Sequence, residues 1–163
     1  MSNSENSVNR EHKDRLFKFI FGNPEKPEWT LSLYNAVSGK NYTDPGDIRL
    51  TTIENVLYME MKNDISFLIS DEMNFYEHQS TFNPNIPLRM YMYSAMVYSK
   101  YVKSNKETVN LYSSVQQKIP VPKCYCFYNG TTGKADRMIL KLSDAFDIPE
   151  ESEALTQQLD IPL

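Results

Sequence analysis

The sequence predicts an α/β domain in which helices cover a central sheet. Apolar residues recur at helical spacing in the first 40 residues and again over residues 88–102, and between these segments the spacing changes to two. A three-strand meander, a crossover helix and a further strand follow one another, which is the order of a layered α/β fold. The 163 residues suffice for one domain with a core, and 40% hydrophobic with 23% charged residues is typical of globular proteins.

Two helices are predicted before the first strand. Residues 14–21 carry a wide apolar face, which "FGNPEKPE" ends with glycine and prolines. The segment "EWTLSLYNAVSG" has apolar residues at helical spacing, and Gly39 suits a helix C-cap. "DPGD" predicts a turn in the following loop. Residues 1–10 are rich in Ser, Asn and charge, so we expect them to be disordered.

Strands are predicted on either side of the crossover helix. The first three are "ENVLYMEM", "NDISFLIS" and "FYEHQST", with "DEMN" as the turn between the second and the third. After the helix come the strand "VPKCYCFYNG" and a further strand in "RMILKLSDAF". The tail, residues 147–163, is acidic and expected to be weakly structured.

Polar residues inside apolar strands are the unusual feature of this sequence. Asp64 opens the second strand, and Glu77 and Gln79 alternate with other residues in the third. A turn centred between Ser70 and Asp71 sets Asp64 opposite the glutamate, and a turn centred one residue later sets it opposite the glutamine. In either register the three polar side chains share one face of the sheet. A slip of one strand by a single residue would separate them.

The chemistry of two adjacent carboxylates points to a cation. Asp64 and Glu77 would repel each other unless a cation lies between them or one is protonated. Carboxylate and carbonyl oxygens suit Mg²⁺ or Mn²⁺, which acidify a bound water and orient a substrate phosphate. Gln79 can position that water but cannot be a general base, because an amide does not titrate. The alternative is that these residues occupy the open face of a half-exposed sheet.

Composition narrows the class of protein. The net charge of −4 is not the basic balance typical of nucleic-acid binding, although divalent cations would offset acidic ligands. No stretch approaches the roughly 18 apolar residues of a membrane helix, and the polar N-terminus lacks a signal-peptide pattern. Cys124 and Cys126 are too close to bridge readily, so a reducing, cytoplasmic compartment is expected. With His12 and His78 as the only histidines, no zinc-site pattern is formed.

The segments "KDRLFKFIFG", "YMEMKNDISFLISDEMNFYEHQSTFNPNIPLRMYMY" and "CFYNG" together resemble the PD-(D/E)XK nuclease superfamily. The resemblance is to the branch named PD-(D/E)XK nuclease family transposases, which is related to the recombination-promoting nucleases. It covers residues 11–146, which we expect to form one nuclease-like domain. It implies a restriction-endonuclease-like αβββαβ core, a central mixed sheet flanked by helices, and metal-dependent DNA cleavage. Members of the branch usually extend past "LSDAF", so we expect that the chain is either truncated relative to them or carries a tail that is foreign to the family.

The resemblance also implies roles for single residues. Asp64 and Glu77 would bind Mg²⁺, for which Mn²⁺ can substitute, and the main-chain carbonyl of His78 would be a further ligand. Gln79 stands where the superfamily usually has lysine, a departure common in this branch. The implied catalytic residues are Asp64, Glu77 and Gln79, and the implied DNA contacts are Arg89, Lys62 and Lys18. The side chain of His78 is expected to point away from Glu77.

Two functions therefore stay open at the level of sequence. One is a metal-dependent DNA endonuclease of the kind associated with mobile elements and recombination. The other is a catalytically degenerate nuclease fold that binds DNA or protein, which the missing lysine, the acidic net charge and the short C-terminus favour. An upstream acidic ligand would be Glu54 or Glu60, which the sequence does not distinguish. DNA is the expected partner, a homodimer is left open, and no membrane association is expected.

Overall fold

The computed structural model describes residues 15–51, 64–130 and 136–147. Within these residues three α-helices and four strands form an α/β fold, which confirms the predicted class. In chain order they are helical residues 15–21 (α1), Pro27–Ser38 (α2), Arg49–Leu50 (β1), Ile65–Ile69 (β2), Glu72–Gln79 (β3), Ile86–Ser104 (α3) and Val121–Tyr128 (β4). Short 3-10 helices cover Pro45–Asp47 and Leu142–Ala145.

The four strands form one mixed sheet in the order β1-β2-β3-β4. β1 and β2 pair antiparallel, as do β2 and β3, whereas β3 and β4 are parallel. A parallel pair needs a crossover connection, and α3 provides it. The predicted central mixed sheet is therefore present, with β2 and β3 as its inner strands.

The predicted helices are confirmed where the structure describes them. α2 ends at Gly39, which has a φ of 71° and donates its N–H to the carbonyl of Asn35 at 2.9 Å. The "DPGD" turn forms a 3-10 helix, in which the Asp44 carboxylate accepts the N–H of Gly46 at 2.8 Å. α3 is two residues longer at each end than the helix predicted over residues 88–102.

The hairpin turn is shorter than predicted. Ile69 pairs with Glu72, which leaves Ser70 and Asp71 as a two-residue turn, with Ser70 at a φ of 50°. The prediction of "DEMN" as the turn is wrong, because the three residues after Asp71 belong to β3. β3 has a strand on each side and helices on both faces, so after its first residue it buries polar and apolar residues alike, except for the half-buried His78.

The last predicted strand is also wrong. Residues 138–141 are irregular, and Leu142–Ala145 is a 3-10 helix that contacts α3 instead of extending the sheet beside β4. Leu142 is buried, whereas Ile139 is 83% exposed. The alternation of "RMILKLS" therefore reflects contact with a helix and solvent, not two faces of a strand. β1 was not predicted, and the predicted strand "ENVLYMEM" lies outside the described residues.

Two apolar clusters hold the sheet between its helices. The cluster under α1 and α2 consists of Phe17, Leu31, Tyr34, Ile65, Phe67, Ile69 and Tyr76. The cluster under α3 consists of Met73, Phe75 and Val97, with Leu68, Tyr98, Tyr101 and Cys124 packed against it. The alternation predicted for β2 and β3 is thus confirmed, and each inner strand buries one set of side chains on each face.

Candidate functional site

The β2–β3 register brings the predicted carboxylates together. Ile65 is opposite Tyr76, so the next pair outward along the hairpin is Asp64 and Glu77. Directly opposed residues have Cβ atoms roughly 4.5–5.5 Å apart. Of the two registers that the sequence allowed, the structure has the one that sets Asp64 against Glu77. The Asp64 Oδ2 atom also accepts the backbone N–H of His78 at 2.7 Å, which ties the start of β2 to the end of β3.

Glu77 is a buried carboxylate with a guanidinium beside it. The whole residue is 2% exposed, because it lies on an inner strand and faces α3. Arg89, in the first turn of α3, places its Nη2 atom 3.3 Å from Glu77 Oε2. The Arg89 side chain is 34% exposed, against 3% for Glu77. A side chain of the protein itself therefore supplies positive charge next to the two adjacent carboxylates.

Arg89 is held by two further residues. Its Nε and Nη2 atoms donate to the Tyr93 hydroxyl at 3.0 and 2.8 Å, across one turn of α3. With the Gln79 amide oriented to satisfy both its groups, its oxygen accepts from Arg89 Nη1 at 3.0 Å and its nitrogen donates to the Thr81 carbonyl at 3.1 Å. The guanidinium thus bridges the phenol, the buried carboxylate and the amide.

The electrostatics of the site follow from burial and this bridge. Burial lowers the pKa of Arg89, but the hydrogen bond with Tyr93 and the charges of Glu77 and Asp64 outweigh it and raise the pKa overall. Burial, followed by the charge of Glu77, raises the pKa of Tyr93. Both side chains therefore keep their ordinary charge states near neutral pH.

A thiol completes the wall of the site on the β4 side. Cys126 pairs with Glu77 in the parallel register and lies on the same face. Burial, followed by the charge of Glu77, raises the pKa of the thiol to about 11, so it is neutral at physiological pH. Cys124 and Cys126 are both free, in agreement with the prediction that such close neighbours do not bridge.

The oxygen donors at this end of the hairpin suit a hard divalent cation. Among the described residues, no group of three or more His, Cys, Asp and Glu side chains is placed to hold a metal. Mg²⁺ needs fewer, since one or two carboxylates with water and substrate phosphate suffice. The N–H of His78 faces Asp64, and the carbonyl of a strand residue points to the same side as its N–H. Asp64, Glu77 and the His78 carbonyl therefore form a fitting donor set.

The structure does not place the other predicted site residues beside the two carboxylates. The ring of His78 stacks on Phe17, with centroids 5.3 Å apart, so it points away from Glu77 as predicted. Lys18 belongs to α1, which packs on that same opposite face, and the structure does not group it with the carboxylates. Lys62, Glu54 and Glu60 lie outside the described residues.

Sequence reasoning did not place Tyr93 in the site. Tyr93 is only 2% exposed, as a core residue would be, and its hydroxyl nevertheless holds Arg89. The available signal was the spacing of four between Arg89 and Tyr93, which sets the two side chains on one side of a helix. That spacing alone does not tell which side faces the sheet.

A cavity of about 520 Å³ adjoins the site. It lies between β4, the start of α3 and residues 136–140, and Gln79 and Cys126 line its inner end. The rings of Phe82 and Tyr128, 6.5 Å apart and perpendicular, form part of its wall. Gln79 is the predicted site residue that lines this cavity, so there is room for a ligand beside its amide.

Comparisons of the chain with protein-family models, with curated proteins and with solved structures found no match. In the part of the chain that the structure describes, no helix is both long and apolar enough to cross a membrane. The function is therefore inferred from the geometry of the site.

Proposed function

We propose that this protein is a metal-dependent DNA endonuclease with a restriction-endonuclease-like core. The observation that carries the proposal is the pairing of Asp64 with Glu77 across the inner strands, next to the His78 carbonyl. After the N-terminal helices, the element order β, β, β, α, β is compatible with the core that the sequence resemblance implies. A cavity of about 520 Å³ that Gln79 and Cys126 help to line leaves space for a substrate next to these two residues.

The proposed reaction is attack of a water on a DNA phosphorus, with departure of one ester oxygen. Asp64 and Glu77 would hold Mg²⁺ or Mn²⁺, with the His78 carbonyl as a third ligand. When bound, the cation supplies an acidified water and neutralises charge on the phosphate. Gln79 would orient the water through its amide, which Arg89 and the Thr81 carbonyl keep in one orientation.

Fewer observations support the proposed DNA contacts than support the proposed metal ligands. Arg89 is at the site, and its planar guanidinium suits a phosphate. Lys18 and Lys62 stay sequence-based predictions, since one is on the opposite face and the other is outside the described residues. DNA as the partner, a homodimer and a cytoplasmic location are likewise predictions.

The test is cleavage of supercoiled plasmid with Mg²⁺ or Mn²⁺, for the wild type against Asp64→Ala and Glu77→Ala. We expect nicking by the wild type, loss of nicking in both variants, and unchanged circular dichroism. Asp47→Ala is the matched control, because it removes an exposed carboxylate from a 3-10 helix that contacts α2, on the other side of the sheet. Full activity in either site variant would refute the site assignment.

A second candidate is a degenerate nuclease fold that binds DNA or protein without cleaving it. The ion pair of Glu77 with Arg89 favours it, because a guanidinium already neutralises the buried carboxylate. Failure of a folded wild type to cleave DNA and to bind Mn²⁺ would favour this candidate over the endonuclease.

A further inference from the structure

We propose that Arg89 is a built-in counterion that competes with the divalent cation for Glu77, so that metal and substrate phosphate bind cooperatively. The inference rests on the proposed function, since it concerns the same cation and phosphate. It begins from the contact of 3.3 Å between Arg89 Nη2 and Glu77 Oε2. The glutamate side chain is 3% exposed and the arginine side chain 34%, so the guanidinium is the solvent-side partner of this pair.

A cation that binds Glu77 therefore meets a positive charge already in place. Like charges a few ångströms apart in a partly buried site repel strongly, because water screens them poorly. The same guanidinium stabilises the glutamate when no metal is bound, since a buried carboxylate without a counterion is costly. Metal binding to the native site must therefore weaken the contact between Arg89 and Glu77.

A divalent cation changes the sign of the formal charge summed over the two carboxylates and the guanidinium. Asp64, Glu77 and Arg89 sum to −1 with the carboxylates ionised, and a divalent cation brings the sum to +1. A phosphodiester, which carries −1, then restores neutrality. Without the arginine the sum with metal is already zero, so phosphate gains no such advantage. Arg89 thereby couples retention of the metal to the presence of substrate.

The hydrogen bonds show how the guanidinium can leave Glu77 and stay in the site. Its Nε and Nη2 atoms both reach the Tyr93 hydroxyl, at 3.0 and 2.8 Å, and Nη1 reaches the Gln79 amide at 3.0 Å. When Glu77 turns to a cation, Tyr93 and Gln79 still hold the guanidinium at the edge of the site. Its freed donor can then reach a phosphate oxygen, which is a geometry that guanidinium groups favour.

The test measures Mn²⁺ affinity by isothermal titration calorimetry on the full chain, without DNA. We expect Arg89→Met to bind Mn²⁺ about tenfold more tightly than the wild type, because a unit charge has been removed within a few ångströms. Arg89→Lys keeps the charge and should stay near the wild type. Lys100→Met, which removes an exposed charge farther along α3, is the matched control and should change little.

A second arm adds diethyl phosphate, an unreactive phosphodiester anion. It should raise the Mn²⁺ affinity of the wild type several-fold and leave that of Arg89→Met unchanged. Should Arg89→Met fail to fold, Arg89→Gln serves instead, since it removes the charge and keeps hydrogen-bond donors.

Opposite outcomes separate this inference from the proposed function. Weaker or equal Mn²⁺ binding by Arg89→Met, with cleavage by the wild type intact, would show that Arg89 only supports Glu77 and would overturn the inference alone. Absence of Mn²⁺ binding in wild type and variants alike would overturn the inference and the proposed metal site together.

Discussion

Two polar clusters lie on opposite faces of β3, one near each end of the strand. The hairpin cluster, on the α2 face, consists of Tyr34, Lys40 and Glu72. The Tyr34 hydroxyl donates to Glu72 Oε2 at 2.7 Å, and Lys40 Nζ donates to Oε1 at 3.0 Å and to the hydroxyl at 3.0 Å. Each oxygen of the Glu72 carboxylate accepts one of these hydrogen bonds, and the charges of Lys40 and Lys123 both favour its ionised form. The cluster joins α2 and its following loop to the hairpin.

The carboxylate cluster on the α3 face has the same kinds of group in a different balance. Asp64 and Glu77 face one guanidinium, and the Glu77 side chain is 3% exposed against 20% for Glu72. Glu77 is therefore the more deeply buried of the two glutamates, and it lies next to a second carboxylate. Two adjacent carboxylates repel each other, so the pair on the α3 face is the one that an added cation would stabilise. This difference is why we assign structure to the hairpin cluster and function to the carboxylate cluster.

The largest expected effect compares Glu77→Gln with Glu72→Gln in plasmid nicking. Loss of a metal-binding carboxylate should reduce the cleavage rate by on the order of 100-fold or more, since even outer partners of metal ligands contribute 10- to 100-fold. Glu72→Gln should cleave at nearly the wild-type rate, because its carboxylate points to the other face. Equal losses in the two variants would show that the assignment of roles to the clusters is wrong.

The next effect is on stability, at the hairpin cluster. Tyr34→Phe removes a buried hydroxyl bonded to two charged groups, so we expect a loss of roughly 1–2 kcal/mol in the free energy of unfolding. The measurement is the urea midpoint, with the slope of the transition unchanged. Tyr112→Phe is the control, because that residue is 99% exposed. An unchanged midpoint for Tyr34→Phe would mean that the cluster does not stabilise the fold.

A smaller effect should appear in the pH dependence of stability. Burial raises the pKa of Glu72, but hydrogen bonds from Tyr34 and Lys40 outweigh it and lower the pKa overall. A folded-state pKa below the unfolded value of about 4.3 means that the contribution of Glu72 is complete above that pH. It is lost as the pH falls from there through the folded-state pKa. Glu72→Gln should therefore be less stable than wild type at pH 7, and the gap should narrow below pH 4.

That pH prediction is checked by thermal melts of wild type and Glu72→Gln between pH 7 and pH 3. Asp144→Asn, at an exposed carboxylate in the last 3-10 helix, is the control for general charge effects. A gap between the melting temperatures of wild type and Glu72→Gln that stays constant over this range would contradict the assigned role of the Glu72 charge.

The smallest effect concerns Tyr76. This residue lies on the α2 face of β3, and along the strand it stands between Glu72 and Glu77. It is 0% exposed, and its hydroxyl has no hydrogen-bond partner among the described residues. A buried hydroxyl without a partner is costly, so Tyr76→Phe should leave the free energy of unfolding unchanged or raise it by up to about 1 kcal/mol. A clear loss of stability in urea denaturation would reveal a contact that the hydroxyl does make.

The sequence by itself determined which residues share a face. Side chains alternate along a strand whatever packs against them, so Glu77 and Gln79 had to share a face, and Asp64 joined them in both of the registers that the sequence predicted. The sequence left two hairpin registers open, because a turn at either of two neighbouring positions was compatible with the alternation of the strands. The two-residue turn at Ser70 and Asp71 selected one of them.

Local pattern failed where the identity of the packing partner mattered. "DEMN" has the composition of a turn, yet most of it lies in an inner strand whose faces are both covered. "RMILKLSDAF" is rich in strand-forming residues, yet its last part, Leu142–Ala145, is a 3-10 helix that lies against α3. The local sequence does not show whether an apolar side chain will pack against a sheet edge or against a helix. These segments therefore could not be assigned from sequence.

Only the tertiary structure decided that Arg89 belongs to the site as the partner of Glu77. The sequence predicted a helix through Arg89 and assigned the residue to DNA. The rotation of α3 on the sheet aims its guanidinium at a glutamate twelve residues earlier. That rotation is set by the packing of Val97 against Met73 and Phe75, contacts that no local pattern specifies. Strand alternation is a local property of the backbone, whereas the counterion of a buried carboxylate depends on how separate elements pack.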